Sequence, residues 1–232
     1  MGQVRQWRVT QLIPLRDLNP RRRFPLITIA LILINVAVFA VEALTPNEQA
    51  LSELIFTWGL IPARLGTLEP AAFVTIITSM FLHSGFMHIA GNMLYLWVFG
   101  DNIEAALGSA RFLLFYLLCG VGAAMGQYII EPTSQVPMVG ASGAISGVMG
   151  AYLLLYPHVE VETLVLFGLW GRVVRLPAVV VLGMWIVLQL FSGLASLGAE
   201  ASGGVAFFAH IGGFLAGLVL VLILRRKRWW EQ

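Results

Sequence analysis

The sequence predicts an all-α membrane protein, a bundle of six transmembrane helices with a long membrane-associated first outer loop. Three observations carry this. Hydrophobic residues make up 59% of the chain and charged residues 11%, with a mean hydropathy of +0.86, well outside the soluble range. Apolar stretches near twenty residues recur at 25–44, around 85–100, and at 112–130, 139–156, 177–191 and 203–224. A bilayer core takes about twenty residues of helix, and backbone groups in lipid must pair internally, which makes these stretches helices. The third observation is the distribution of basic residues.

Arg5, Arg8, Arg16, Arg21, Arg22 and Arg23 precede the first span, and Arg225, Arg226, Lys227 and Arg228 follow the sixth. Arg111, Arg172 and Arg175 fall in the second and fourth connections, so six crossings place all of these on one side and leave Arg64 alone on the other. By the positive-inside rule both termini are expected in the cytoplasm. Topology accounts for the basic ends, so no nucleic-acid partner is expected. The first span is longer than the apolar region of a secretory signal, and losing it would scatter the basic clusters, so it reads as a retained anchor. The single cysteine, Cys119, lies within the third span and reads as a small buried side chain.

In chain order, residues 1–23 read as a basic cytoplasmic tail, 24–224 as the six-span domain and 225–232 as a second basic tail. The first span carries Asn35, with a structural role. The connection from 45 to 83 holds apolar pieces at 51–60 and 71–82, too short or interrupted to cross, which read as helices lying in the interface. The second span opens with His83, His88 and Asn92; His88 and Asn92 are four apart and share a helical face. Such groups in a bilayer are either functional or bond between helices. His83 reads as a loop anchor, and Asp101 and Glu104 are expected to bond locally or pair with Arg111. Gly120, Gly122 and Gly126 with Gln127 mark close packing in the third span.

The fourth span opens with Gly140-Ala141-Ser142-Gly143, and the sixth holds Ala209-His210-Ile211-Gly212-Gly213. Gly143, Gly147 and Ala151 repeat every four residues, as do Ala209, Gly213 and Gly217, giving two smooth faces suited to close approach. Close approach matters because a serine hydroxyl must come within about 3 Å of an imidazole nitrogen to be activated. All three polar spans run inward from their polar ends. At about 1.5 Å per residue, Ser142, His210, His88 and Asn92 are therefore expected in one layer below the outer surface. Residues 163–176, interrupted by Gly168 and Gly171, read as a cytoplasmic interfacial hairpin, and His158 beside it as a solvated side chain. The Gly-, Ala- and Ser-rich connection 192–204 reads as a mobile cap before His210.

Several chemistries are set aside. The G-x-S-x-G elbow fails because Ala144 stands two residues after the serine. No H-E-x-x-H is present for a zinc protease, and only Asp101 lies near a span, too few aspartates for an aspartyl protease. No carboxylate lies at the depth of Ser142 and His210, so the arrangement is a dyad, with His210 as base and Ser142 as nucleophile. No metal, nucleotide or other cofactor motif is present; water suffices.

Gly140-Ala141-Ser142-Gly143, Ala209-His210 with Gly213 and Gly217, and His83, His88 and Asn92 together resemble the rhomboid intramembrane serine proteases. The resemblance implies that Ser142 attacks the scissile carbonyl and His210 takes and returns the proton. It implies that His88, Asn92 and the Ser142 backbone amide stabilise the oxyanion. Substrates would be single-span membrane proteins cut in or near their transmembrane segments, from a site opening to the outer face of what is expected to be a prokaryotic cell membrane. Access would pass Trp185 and the 192–204 cap, with Gly193, Gly198 and Gly203 as gate residues. Two departures stand out: Val74-Thr75 where many members have Trp-Arg in the first outer loop, and Ser146 where some carry an aromatic beneath the histidine. Two non-protease readings compete: a rhomboid-like scaffold that binds membrane clients, and a transporter whose polar groups line a pathway.

Overall fold

The computed structural model describes residues 11–20, 23–167, 170–196 and 206–225. Its helices are α1 (Leu26–Ala43), α2 (Glu48–Trp58), α3 (Pro62–Leu65), α4 (Pro70–Thr78), α5 (Phe86–Leu107), α6 (Ser109–Ile130), α7 (Ser142–Leu155), α8 (Ala178–Ser196) and α9 (Phe207–Leu224). A 3-10 turn, Ser79–Phe81, follows α4, and the strands are β1 (Gln11–Asp17), β2 (Glu160–Phe167) and β3 (Trp170–Pro177).

Among the described residues, α1, α6, α8 and α9 are each long and apolar enough to cross a bilayer. Their outward side chains, such as Leu33 and Val41 on α1, Leu188 on α8 and Ile223 on α9, are exposed as lipid-facing residues must be. The α4 segment with its 3-10 turn and α5 meet that test only as a pair, bent by 81° at residues 82–85. The fourth stretch departs from expectation. It yields a helix of 14 residues, about 21 Å long at 1.5 Å per residue, short of a 30 Å hydrocarbon core. Every residue from Ala144 to Tyr152 is buried, so α7 is surrounded by protein rather than lipid.

Small residues make that burial possible. α9 lies between α6 and α7 and meets each with a separate glycine face. A β-carbon at Gly212 would sit 2.6 Å from the Gly122 carbonyl of α6; one at Gly213 or Gly217 would overlap the Gly143 or Gly147 carbonyl of α7. Backbones this close leave room for nothing larger. Below this seam the core is aromatic: Phe99, Phe112, Phe115, Tyr116 and Tyr152 are fully buried.

The two ends of the bundle are distinct. At one, Asp17 Oδ2 accepts from Tyr152 Oη at 2.6 Å and from Asn102 Nδ2 at 2.8 Å, joining β1 to the ends of α7 and α5. Arg111 Nη1 donates to the Leu224 carbonyl at 3.2 Å, joining the start of α6 to the end of α9. Of the two expectations for Glu104, the structure shows the local one, Ser109 Oγ donating to it at 2.6 Å, and adds a remote cap in which it accepts from Ile27 N, Thr28 N and Thr28 Oγ1 at 2.8–3.0 Å. It thereby satisfies the free amides at the start of α1. Asp101 bonds locally, accepting from Asn102 Nδ2 at 2.8 Å. The expected hairpin forms as β2 and β3, antiparallel from Glu160↔Pro177 to Phe167↔Trp170. Residues 11–17, expected within a tail, instead form β1, which pairs antiparallel with β2 and gives the order β1-β2-β3. Pro14 and its basic surroundings disguise that strand, whose partner lies some 150 residues away in sequence.

At the opposite end, the connection 45–83 folds into α2, α3 and α4 and ties onto the stretch before α7. Leu60 and Met138 exchange backbone hydrogen bonds of 3.0 and 2.7 Å, and Gly140 N donates to the Ser79 carbonyl at 2.9 Å. At the end of this loop the His83 backbone amide donates to the Glu42 carboxylate at 3.0 Å, and its Nδ1 lies 3.3 Å from the Phe81 carbonyl.

Candidate active site

Ser142 is the first residue of α7, so its amide is one of the first-turn N–H groups that no helix satisfies internally. His210 lies one turn into α9. The Gly143–Gly213 and Gly147–Gly217 contacts press these two helix starts together, and His210 Nε2 lies 2.8 Å from Ser142 Oγ. The start of α9 is fixed from its other side by Gln127 of α6, whose Oε1 accepts from Ala209 N at 3.2 Å and whose Nε2 donates to Glu131 at 2.9 Å.

His88 and Asn92, one turn apart on α5, face the backbone just ahead of Ser142. Gly140 stands there with φ +123°, a conformation that favours glycine. A β-carbon at that position would come within 2.7 Å of His88 Nε2 and 3.5 Å of Asn92 Nδ2. The missing side chain is what admits the imidazole and the amide. Ser84 Oγ lies 3.0 Å from His88 Nδ1, and Ser84 N donates to the same atom at 3.4 Å, so that nitrogen is the acceptor and Nε2 carries the proton toward Gly140. Asn92 Nδ2 is buried with no hydrogen-bond partner among the described residues. A buried donor without an acceptor is costly; this one lies behind Gly140, which with Ser142, His210 and His88 lines a cavity of about 800 Å³.

α8 closes the other side. Gln189 Oε1 lies 2.8 Å from His210 Nδ1, and the Trp185 ring, one turn earlier, is tilted against the His210 ring with centroids 5.8 Å apart. The aromatic neighbour of the histidine thus comes from α8, while Ser146 spends its hydroxyl on the Ser142 carbonyl at 2.6 Å. Gly193 sits where α8 meets the start of α9; a β-carbon there would lie 3.3 Å from Phe207 Cβ. Gly198 and Gly203 lie outside the described residues.

Of the four residues singled out for chemistry, Ser142, His210 and His88 line one cavity, and Asn92 lies beside them behind Gly140. Sequence reasoning placed Gln189 with Trp185 in the fifth span but gave it no role, although a polar residue one turn from Trp185 in an apolar span was a visible signal. It also missed Ser84 and the Ser79 carbonyl, neither of which announces a partner.

Residues 70–227 match the Rhomboid domain family. The chain is 34% identical over 142 residues to the rhomboid protease GluP of Bacillus subtilis, covering 61% of this chain and 24% of that protein. It is 29% identical over 163 residues to the chloroplastic rhomboid-like protein 11 of Arabidopsis thaliana, covering 67% and 54%. Against the rhomboid protease AarA of Providencia stuartii it is 30% identical over 233 residues, covering 88% and 75%. The chain thus spans a quarter to about half of the length of the first two relatives. A domain match over most of the chain, on a bundle with four helices able to cross a bilayer, makes this an integral membrane protein of the rhomboid family.

Proposed function

We propose that the protein is an intramembrane serine endopeptidase that cleaves single-span membrane proteins in or near their transmembrane segments. One observation carries the reading: a 2.8 Å contact between Ser142 Oγ and His210 Nε2 at the wall of one cavity, with the Asn92 amide, unpartnered among the described residues, behind Gly140. In this reading His210 takes the Ser142 proton as the hydroxyl attacks the scissile carbonyl, and gives it to the leaving amine. The acyl group on Ser142 is then released by water. The negative oxygen formed at each step is held by His88 Nε2–H, Asn92 Nδ2–H and the Ser142 amide, all fixed before the substrate arrives, so no reorganisation is needed during reaction. No metal or cofactor is required.

The catalytic unit is residues 24–224, with α1, α5, α6, α7, α8 and α9 as the six crossings and the 45–83 connection against the outer leaflet. Both termini lie in the cytoplasm and the cavity opens to the outer face. Arg16, Arg111, Arg172, Arg175 and Arg225 support this, since they cluster at the bundle end opposite Ser142. Substrate enters past Trp185 and the stretch after Gly193. The names of the GluP and AarA relatives support the activity.

The test is labelling by a fluorophosphonate in detergent and in liposomes, read by intact mass, for wild type, Ser142→Ala and His210→Ala. Wild type alone is expected to gain one adduct, at Ser142. Folded wild type that gains none in either environment would turn the reading toward a scaffold that binds membrane clients without cutting them.

A further inference from the structure

We infer that Gln189 is a positioning residue for the Ser142–His210 pair: its side-chain carbonyl holds His210 in the one tautomer that can accept the serine proton. The inference rests on the protease reading above. A neutral imidazole carries one proton, on Nδ1 or on Nε2, and only an Nε2 with a free lone pair can take a proton from Ser142. His210 Nδ1 lies 2.8 Å from Gln189 Oε1. A carbonyl oxygen can only accept, so this bond places the proton on Nδ1 and leaves the Nε2 lone pair facing Ser142 Oγ, 2.8 Å away.

The choice of an amide over a carboxylate follows from the surroundings. α8 lies among exposed apolar side chains such as Val187, Leu188 and Leu190, where an ionised carboxylate would be expensive. An amide dipole orients the ring and favours the developing imidazolium without adding a charge. Trp185 lies on the same face of α8, four residues earlier, and packs against the same ring. The helix therefore holds His210 at its Nδ1 edge and through the tilted Trp185 ring. Displacing α8 would release both contacts, so the base is aligned only while α8 is seated.

The opposite amide orientation makes the inference falsifiable. Turned over, Gln189 would donate to Nδ1, leave the proton on Nε2 and face the serine with a donor. Two variants of similar length separate the cases. Gln189→Glu can accept but, when ionised, cannot donate; Gln189→Met fills the space and does neither.

The experiment measures the second-order rate of fluorophosphonate labelling against pH in liposomes. In that step Ser142 Oγ bonds to phosphorus, fluoride leaves, and the hydroxyl proton passes to His210 Nε2. Gln189→Met is expected to label about 10–100-fold more slowly, the size of effect seen when a metal-binding histidine loses the outer partner that orients it. Gln189→Glu is expected to keep most of the rate above neutral pH. Its acid limb should move up by about one pH unit or more, because a facing carboxylate favours imidazolium. Should Gln189→Met label at the wild-type rate, or Gln189→Glu be the slower of the two with an unmoved pH limb, the residue merely packs and the inference falls. Wild type that does not label at all would instead remove the protease reading.

Discussion

Gly213 of α9 faces the Gly143 carbonyl of α7 so closely that a β-carbon at 213 would overlap it. One residue before Gly143 stands Ser142, and three before Gly213 stands His210, so the spacing of two backbones sets the spacing of the two reacting side chains. Gly213→Ala must push the helices apart, because a backbone carbonyl cannot swing away as a side chain can. Misplacing reacting atoms by about 1 Å can cost about 10²-fold. We expect that loss or more in fluorophosphonate labelling rate, with a destabilisation of about 1–3 kcal/mol read from thermal unfolding in detergent.

Asn92 presents the opposite trade. Its buried Nδ2 has no partner among the described residues, so the folded protein bears the cost of a desolvated amide. Asn92→Ala is expected to slow cleavage of a single-span reporter by about 10²–10³-fold, the typical effect of removing one oxyanion donor. The thermal midpoint should stay level or rise, since an unmade hydrogen bond is removed. A parallel fall in midpoint and rate would mean that the amide is structural.

Asp17 couples the sheet to the bundle through Tyr152 and Asn102. Burial, with Asp101 nearby, outweighs the Tyr152 hydrogen bond and pushes the Asp17 carboxyl up from 3.8 to about 6. Between those values the folded protein binds a proton that the unfolded chain does not. Stability linked to this group therefore rises as pH falls through about 6 and levels off below about 4. Asp17→Asn keeps an acceptor for Tyr152 and removes the titration. It should raise the unfolding free energy at pH 7 by about 1–2 kcal/mol after allowance for screening, read as a higher thermal midpoint, and the gap to wild type should close on acidification to about pH 4. A gap that widens on acidification would refute this assignment.

Glu104 caps the start of α1 from a helix 76 residues away in sequence, accepting at Thr28 N and Oγ1. Glu104→Ala strands the Ile27 and Thr28 amides and the Thr28 and Ser109 hydroxyls, at a cost of about 3 kcal/mol. The expected result is a lower thermal midpoint with an unchanged labelling rate per folded molecule, because the cap lies at the bundle end away from Ser142. A midpoint equal to wild type would show that water replaces the carboxylate.

Much was legible before any coordinates, and the reason is locality. Twenty-residue apolar runs report burial in lipid, a four-residue repeat of glycine and alanine reports a flat helix face, and His88 with Asn92 reports one side of one turn. From such short-range signals follow the membrane class, the helix positions and the meeting of Ser142, His210, His88 and Asn92. The tertiary structure decided whatever depends on partners far apart in the chain. The shortness of α7 goes with its neighbours rather than its own composition, since a helix walled in by protein meets no lipid whose thickness its length must match. β1 exists because β2 offers it an edge, and Glu104 and Asp17 found roles on elements 76 and 135 residues away. Gly140 is required because an imidazole from another helix occupies the space where its side chain would stand. Gln189 reaches His210 only because α8 packs beside α9. Periodicity can say which face of a helix is polar; only packing says which atom that face will meet.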